Sequence, residues 1–86
     1  MAKFAILFTR SARKELENLP NAAVERILAS ISKLSSEPFP GGCKKLKGEK
    51  HIWRIRVGDY RIIYSVYPDM LVIDIIRIRH RREVYN

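Results

Sequence analysis

Apolar and polar residues alternate on both sides of Gly58-Asp59 in the stretch 53–67, Trp-Arg-Ile-Arg-Val-Gly-Asp-Tyr-Arg-Ile-Ile-Tyr-Ser-Val-Tyr. A Gly-Asp pair between two alternating runs predicts a hairpin with a two-residue loop. Gly58 supplies the positive φ needed at the first corner. Val57 then faces Tyr60, Arg56 faces Arg61, Ile55 faces Ile62 and Trp53 faces Tyr64. Because successive side chains point to opposite sides of a strand, the hairpin has two unlike faces. Trp53, Ile55, Val57, Tyr60, Ile62, Tyr64 and Val66 make a core face; Arg54, Arg56, Arg61, Ile63 and Ser65 make the other.

The flanking segments supply what such a hairpin packs against. Residues 3–8 read as a strand with Phe4, Ile6 and Phe8 on one side. Thr9 is placed to cap a short helix running to about Asn18, with Ala12, Leu16 and Leu19 inward. Pro20 ends that helix and Asn21 is expected to cap a second one. The second carries a stripe at three- and four-residue spacing: Val24, Ile27, Leu28, Ile31 and Leu34. Residues 35–42 form a loop by their Ser, Pro and Gly content. In 43–48 Leu46 is expected to tuck under, leaving Lys44, Lys45 and Lys47 outward as a basic approach surface. The spacing of a nucleotide-binding loop is absent. Pro68-Asp69 marks a turn. Residues 71–78 form a last strand whose apolar residues fall at both parities, predicting cover on both faces. Asp74 is in reach of offsetting an arginine; Arg77, Arg79 and Arg81 share one parity and His80 the other. The fold expected is a single α+β domain, 1–86. It is a small antiparallel sheet with a mixed edge and two N-terminal helices on one face, in the order β-α-α-β-β-β.

Charge changes the picture more than size does. Of 86 residues 47% are apolar, enough for a core, and the net charge is +8. Residues 1–40 hold six basic against four acidic residues, and residues 41–86 hold eleven against five. The second half therefore carries the excess and points to a polyanionic partner. One cysteine, Cys43, precludes an internal disulfide and fits a reducing cytoplasm. Two histidines and one cysteine lie apart, so no metal and no cofactor is expected. The apolar run at the N-terminus is too short for a signal peptide, and 70–78 is too short and too charged to span a bilayer. A soluble, cytoplasmic protein without a membrane partner is the expectation.

The polar face of the hairpin sets Arg56 against Arg61 with Arg54 beside them, an arrangement that costs stability in a sheet. Two readings stay open: an anion site, since the guanidinium fork suits phosphate oxygens, or a solvated face with side chains fanned apart. Arginines with tyrosines able to stack bases are the materials of an RNA-handling surface. RNA carries its own nucleophile, the 2′-hydroxyl. A protein cleaves it without metal by aligning that oxygen, stabilising phosphoryl charge and moving two protons. Arginine suits the second task and, staying protonated, not the third as a base.

Lys45-Leu46-Lys47-Gly48, the run Trp53 to Tyr64, and His80-Arg81-Arg82-Glu83-Val84-Tyr85 closely resemble the RelE branch of the RelE/ParE toxin superfamily, over essentially the whole chain. The resemblance implies a ribosome-dependent mRNA endonuclease held inactive by a cognate, RelB-like antitoxin. Its partners would be the bacterial ribosome and mRNA, with operator DNA met only through the antitoxin. It also implies roles. Arg54 and Arg56 fall where the family has two strand lysines. Arg61 falls on a phosphate-stabilising arginine, Arg81 on an arginine for phosphate contact or leaving-group protonation, and Tyr85 on a tyrosine that stacks on or orients a base. Lys44, Lys45, Lys47 and Arg79 are expected to contact RNA. Arginine at 56 removes a group that could serve as general base. His80 is then either the proton carrier or merely the end of the strand. The chain stops at Asn86 without the extra C-terminal helix of some relatives. The alternatives are a ParE-like gyrase poison without nuclease activity and a non-toxic partner-binding domain.

Overall fold

The computed structural model describes residues 3–80. Along them run β1 (Ala5–Phe8), α1 (Arg10–Glu17), α2 (Asn21–Leu34), β2 (Lys44–Lys45), β3 (Ile52–Val57), β4 (Tyr60–Tyr67) and β5 (Val72–His80). The strands form one sheet in the order β1-β5-β4-β3-β2. β1 is parallel to β5 and every other pair is antiparallel. The expected order of elements is present, with one addition. Lys44–Lys45, read as part of a basic approach surface and given no element, forms a two-residue edge strand against Arg54 and Trp53.

The hairpin has the register its turn demands: Arg56 lies opposite Arg61, Ile55 opposite Ile62 and Trp53 opposite Tyr64. Gly58 turns the chain at φ +59°, and Asp59 stays out of the left-handed region, the sign pattern of a type II′ turn. A Cβ at Gly58 would stand 3.2 Å from the Arg26 guanidinium, which lies over the turn.

β5 departs from the expectation that both its faces are covered. Ile63 pairs with Arg77 but Tyr64 pairs with Ile75, so Ile76 is an extra residue on β5. This bulge reverses the parity of everything after it. Ile73 and Ile75 before it and Ile78 after it all reach the same core. Without the bulge Arg77 and Arg79 would share the side of Ile75; with it they stand on the opposite face.

Thr9 holds the bulge. Its hydroxyl donates to the Ile76 carbonyl at 2.8 Å and accepts from the Ala12 N–H at 3.1 Å as the cap of α1, and its own N–H donates to Ile75. α2 begins differently from the expectation: Pro20 occupies the cap position, without a side-chain bond, and Asn21 is the first helical residue. At Pro20 the ring-fixed φ of −60° with ψ 148° is the extended backbone that a cap position takes. Of the α2 stripe, Ile27, Ile31 and Leu34 are buried, and Leu28 is exposed.

The core lies between the helices and one face of the sheet, where Ile27, Leu34, Ile62, Tyr64, Ile73 and Ile75 are fully buried. Burying each aliphatic side chain contributes roughly 1.5–3 kcal/mol. Two contacts tie the 35–42 loop to this layer. The Tyr64 hydroxyl donates to the Pro38 carbonyl at 2.8 Å, and the Phe39 and Trp53 rings lie 4.7 Å apart. At the other edge Ser35 accepts the Phe4 N–H on its carbonyl and donates its hydroxyl to the Phe4 carbonyl, standing in for a neighbouring strand.

Candidate functional site

The sheet face turned away from the helices is cationic. In one row across β3, β4 and β5, Arg56 lies opposite Arg61 and Arg61 opposite Arg79. In the next row Lys44 lies opposite Arg54, Arg54 opposite Ile63, and Ile63 opposite Arg77. Side chains directly opposite on one face start about 4.5–5.5 Å apart at Cβ. Six cations from four strands therefore share one surface.

Four of them converge. A cavity of about 270 Å³ is lined by Gly42, Lys44, Arg54, Ile55, Arg56 and Arg61. Gly42, at φ +90°, brings the loop backbone to the cavity wall. Arg61, in the middle of its row, is only 6% exposed. Like charges set directly opposite on a sheet oppose folding. A phosphate placed among them would remove the repulsion and accept several charge-assisted hydrogen bonds.

Among the described residues the carboxylate paired with the β5 arginines is Glu15 of α1, where the sequence suggests Asp74. Glu15 Oε2 lies 3.7 Å from Arg77 Nη1 and 3.8 Å from Arg79 Nε. Its Oε1 accepts the Ile78 N–H at 2.9 Å. The role of Glu15 and the face of Arg77 escape sequence reasoning, each for its own reason. A carboxylate two turns along a helix carries no mark of what it faces, and the face of Arg77 depends on the bulge.

The remaining residues singled out by sequence are placed as follows. His80 lies opposite Tyr60, and their rings meet edge-on at 5.3 Å. Tyr60 belongs to the core-facing side, so His80 is on the other side of the sheet from the arginine rows. Lys45 shares the face of Trp53, with its ammonium 5.9 Å from the ring centre, away from the cavity. Lys47 is exposed beyond β2. Arg81 and Tyr85 lie outside the described residues. Behind the cavity, burial pushes the Tyr64 phenol well above its ordinary value, and the nearby Cys43 thiol adds to the effect. Among the described residues no three His, Cys, Asp or Glu side chains gather where they could hold a metal, and no helix is long and apolar enough to cross a membrane.

Comparison with known proteins places this geometry among relatives. The family model described as the ParE toxin of type II toxin–antitoxin systems matches residues 6–85. Toxin RelE3 of Methanocaldococcus jannaschii is 32% identical over 94% of this chain and 94% of its own length. Among solved structures, the RelE–RelB complex of Pyrococcus horikoshii is similar with a TM-score of 0.82 at 33% identity, covering 92% of this chain and 96% of that one. The RelBE2 toxin–antitoxin complex of Mycobacterium tuberculosis gives 0.83 at 29% identity, covering 94% of each chain.

Proposed function

Since the chain belongs to the ParE toxin family of type II toxin–antitoxin systems, with RelE toxins among its relatives, we propose that it is a ribosome-dependent mRNA endoribonuclease held inactive by a RelB-like antitoxin. The observation that carries this reading is the cavity where Arg54, Arg56 and Arg61 converge with Lys44. The antitoxin follows from relatives solved as RelE–RelB complexes.

In the reaction the 2′-oxygen of one nucleotide bonds to the adjacent phosphorus while the bond to the 5′-oxygen of the next nucleotide breaks. The products are a 2′,3′-cyclic phosphate and a 5′-hydroxyl. The guanidinium groups of Arg54, Arg56 and Arg61 hold the phosphoryl oxygens as charge builds on them. A bent, in-line substrate is required, which a small open face does not impose by itself; the ribosomal decoding site supplies that geometry. One proton leaves the 2′-hydroxyl and one reaches the departing 5′-oxygen. In the described lining of the cavity, Lys44 is the ionisable group that is not a guanidinium, which makes it the candidate to carry one of them. His80, across the sheet, is not assigned this task.

The test is to pulse-express the protein and map mRNA 5′ ends with and without ribosomes. Cuts within translated codons that need the ribosome, vanish in Arg61→Ala and are suppressed by the antitoxin are expected. Intact mRNA together with cleaved DNA would overturn the proposal in favour of gyrase poisoning.

A further inference from the structure

We infer that Glu15 is a positioning residue that withholds Arg77 and Arg79 from RNA and confines the substrate phosphate to the cavity of Lys44, Arg54, Arg56 and Arg61. The inference rests on the RNA-cleaving reading above. It starts from the end of β1, which pairs with β5 only over Val72–Ile75. Past that point the outer edge of β5 is served by α1. Thr9 takes the Ile76 carbonyl, and Glu15 Oε1 takes the Ile78 N–H at 2.9 Å. That bond fixes the carboxylate, and its second oxygen then lies between Arg77 and Arg79, at 3.7 and 3.8 Å.

Those distances exceed hydrogen-bond lengths, so the second oxygen acts through its field. The arginine side chains are 38% and 32% exposed, and ion pairs so placed contribute little to stability. Their effect is on what the surface attracts. Toward β5 the Glu15 carboxylate stands between two positive charges, and Asp74 lies on the same face just before the bulge. Among the described residues the cavity lining holds four cations and no acid. A phosphate is thus drawn to the β3–β4 side. Without Glu15, six cations spread over the face would hold RNA in several registers, most of them out of line for cleavage.

The readout is the salt dependence of binding to a 2′-O-methyl RNA oligonucleotide, which cannot be cut, together with kcat and KM on programmed ribosomes. Glu15→Gln keeps an oxygen for the Ile78 N–H and removes the charge. Its thermal midpoint should stay near wild type, while the slope of log K against log salt steepens by about 0.7 for each phosphate newly contacted, up to about 1.4. KM and kcat should both fall, the sign of tight, unproductive binding. Arg77→Gln/Arg79→Gln beside an intact Glu15 should leave the slope unchanged, and added to Glu15→Gln should restore it. An unaltered slope and KM in folded Glu15→Gln would overturn the inference. So would a shallower slope in the double arginine variant, which does not depend on how well the glutamate variant folds. Wild-type protein that shows no salt-dependent RNA binding would instead overturn the RNA reading itself.

Discussion

Replacing Thr9 by Val removes one hydroxyl and keeps the branched shape. Two bonds go with it: the cap to the Ala12 N–H and the donation to the Ile76 carbonyl at the bulge. Losing a threonine cap costs about 1 kcal/mol, within a range of roughly 0.5–2. The carbonyl is half-buried against α1, and losing its partner adds about 1 kcal/mol. The sum, about 2 kcal/mol, lowers Tm by roughly 8–16 °C at this chain length. Thr9→Ser offers the same oxygen and should recover most of the loss. Urea unfolding at constant m separates the three proteins. Valine within about 0.5 kcal/mol of wild type, or serine as damaging as valine, would refute the idea that this hydroxyl secures the bulge.

Alanine at Arg54, Arg56 or Arg61 should each reduce mRNA cleavage by about 10²–10³-fold, comparable to loss of one donor to a developing oxyanion; near-normal end maps from any of them would remove that residue from the site. The raised folded-state pKa of Tyr64 means the native protein keeps a phenol proton that the unfolded chain sheds above about pH 10. Stability should therefore be level below that pH and fall above it by about 1.4 kcal/mol per unit, a slope that Tyr64→Phe abolishes in urea titrations. Leu71 holds φ +53°, a strained conformation for a leucine, and it is 41% exposed. Leu71→Gly should raise Tm by a few degrees, about 1 kcal/mol, and a fall on calorimetry would show that its side chain packs more usefully than its backbone suffers.

What could be read from sequence was whatever is decided locally. Gly58-Asp59 sets the hairpin register through turn chemistry alone, and with it the cross-strand meeting of Arg56 and Arg61. Thr9 and the Ile27, Ile31, Leu34 stripe are likewise short-range signals. The features that escaped depend on distant partners. Lys44 and Lys45 become a strand because β3 offers an edge, not because two lysines favour extension. Leu28 fits the helical period and still misses the core, since it stands about 100° round the helix from Ile27, whose row with Ile31 and Leu34 is the buried one. The extra residue at Ile76 leaves no compositional trace, so apolar residues at both parities looked like two covered faces. In the site, Arg54, Arg56 and Arg61 were legible from the hairpin, whereas Glu15 was not.

The unpaired residue at Ile76 gives the last strand a grammar of its own. Upstream of it, odd-numbered positions look inward; downstream, even-numbered ones do. Between the bulge and the strand's end, insertions or deletions are therefore tolerated only in twos. A single added residue would turn the guanidinium groups of Arg77 and Arg79 toward the greasy interior and send Ile78 out to water. Homologues that differ in length here should do so by an even count, or should have shed the bulge as well.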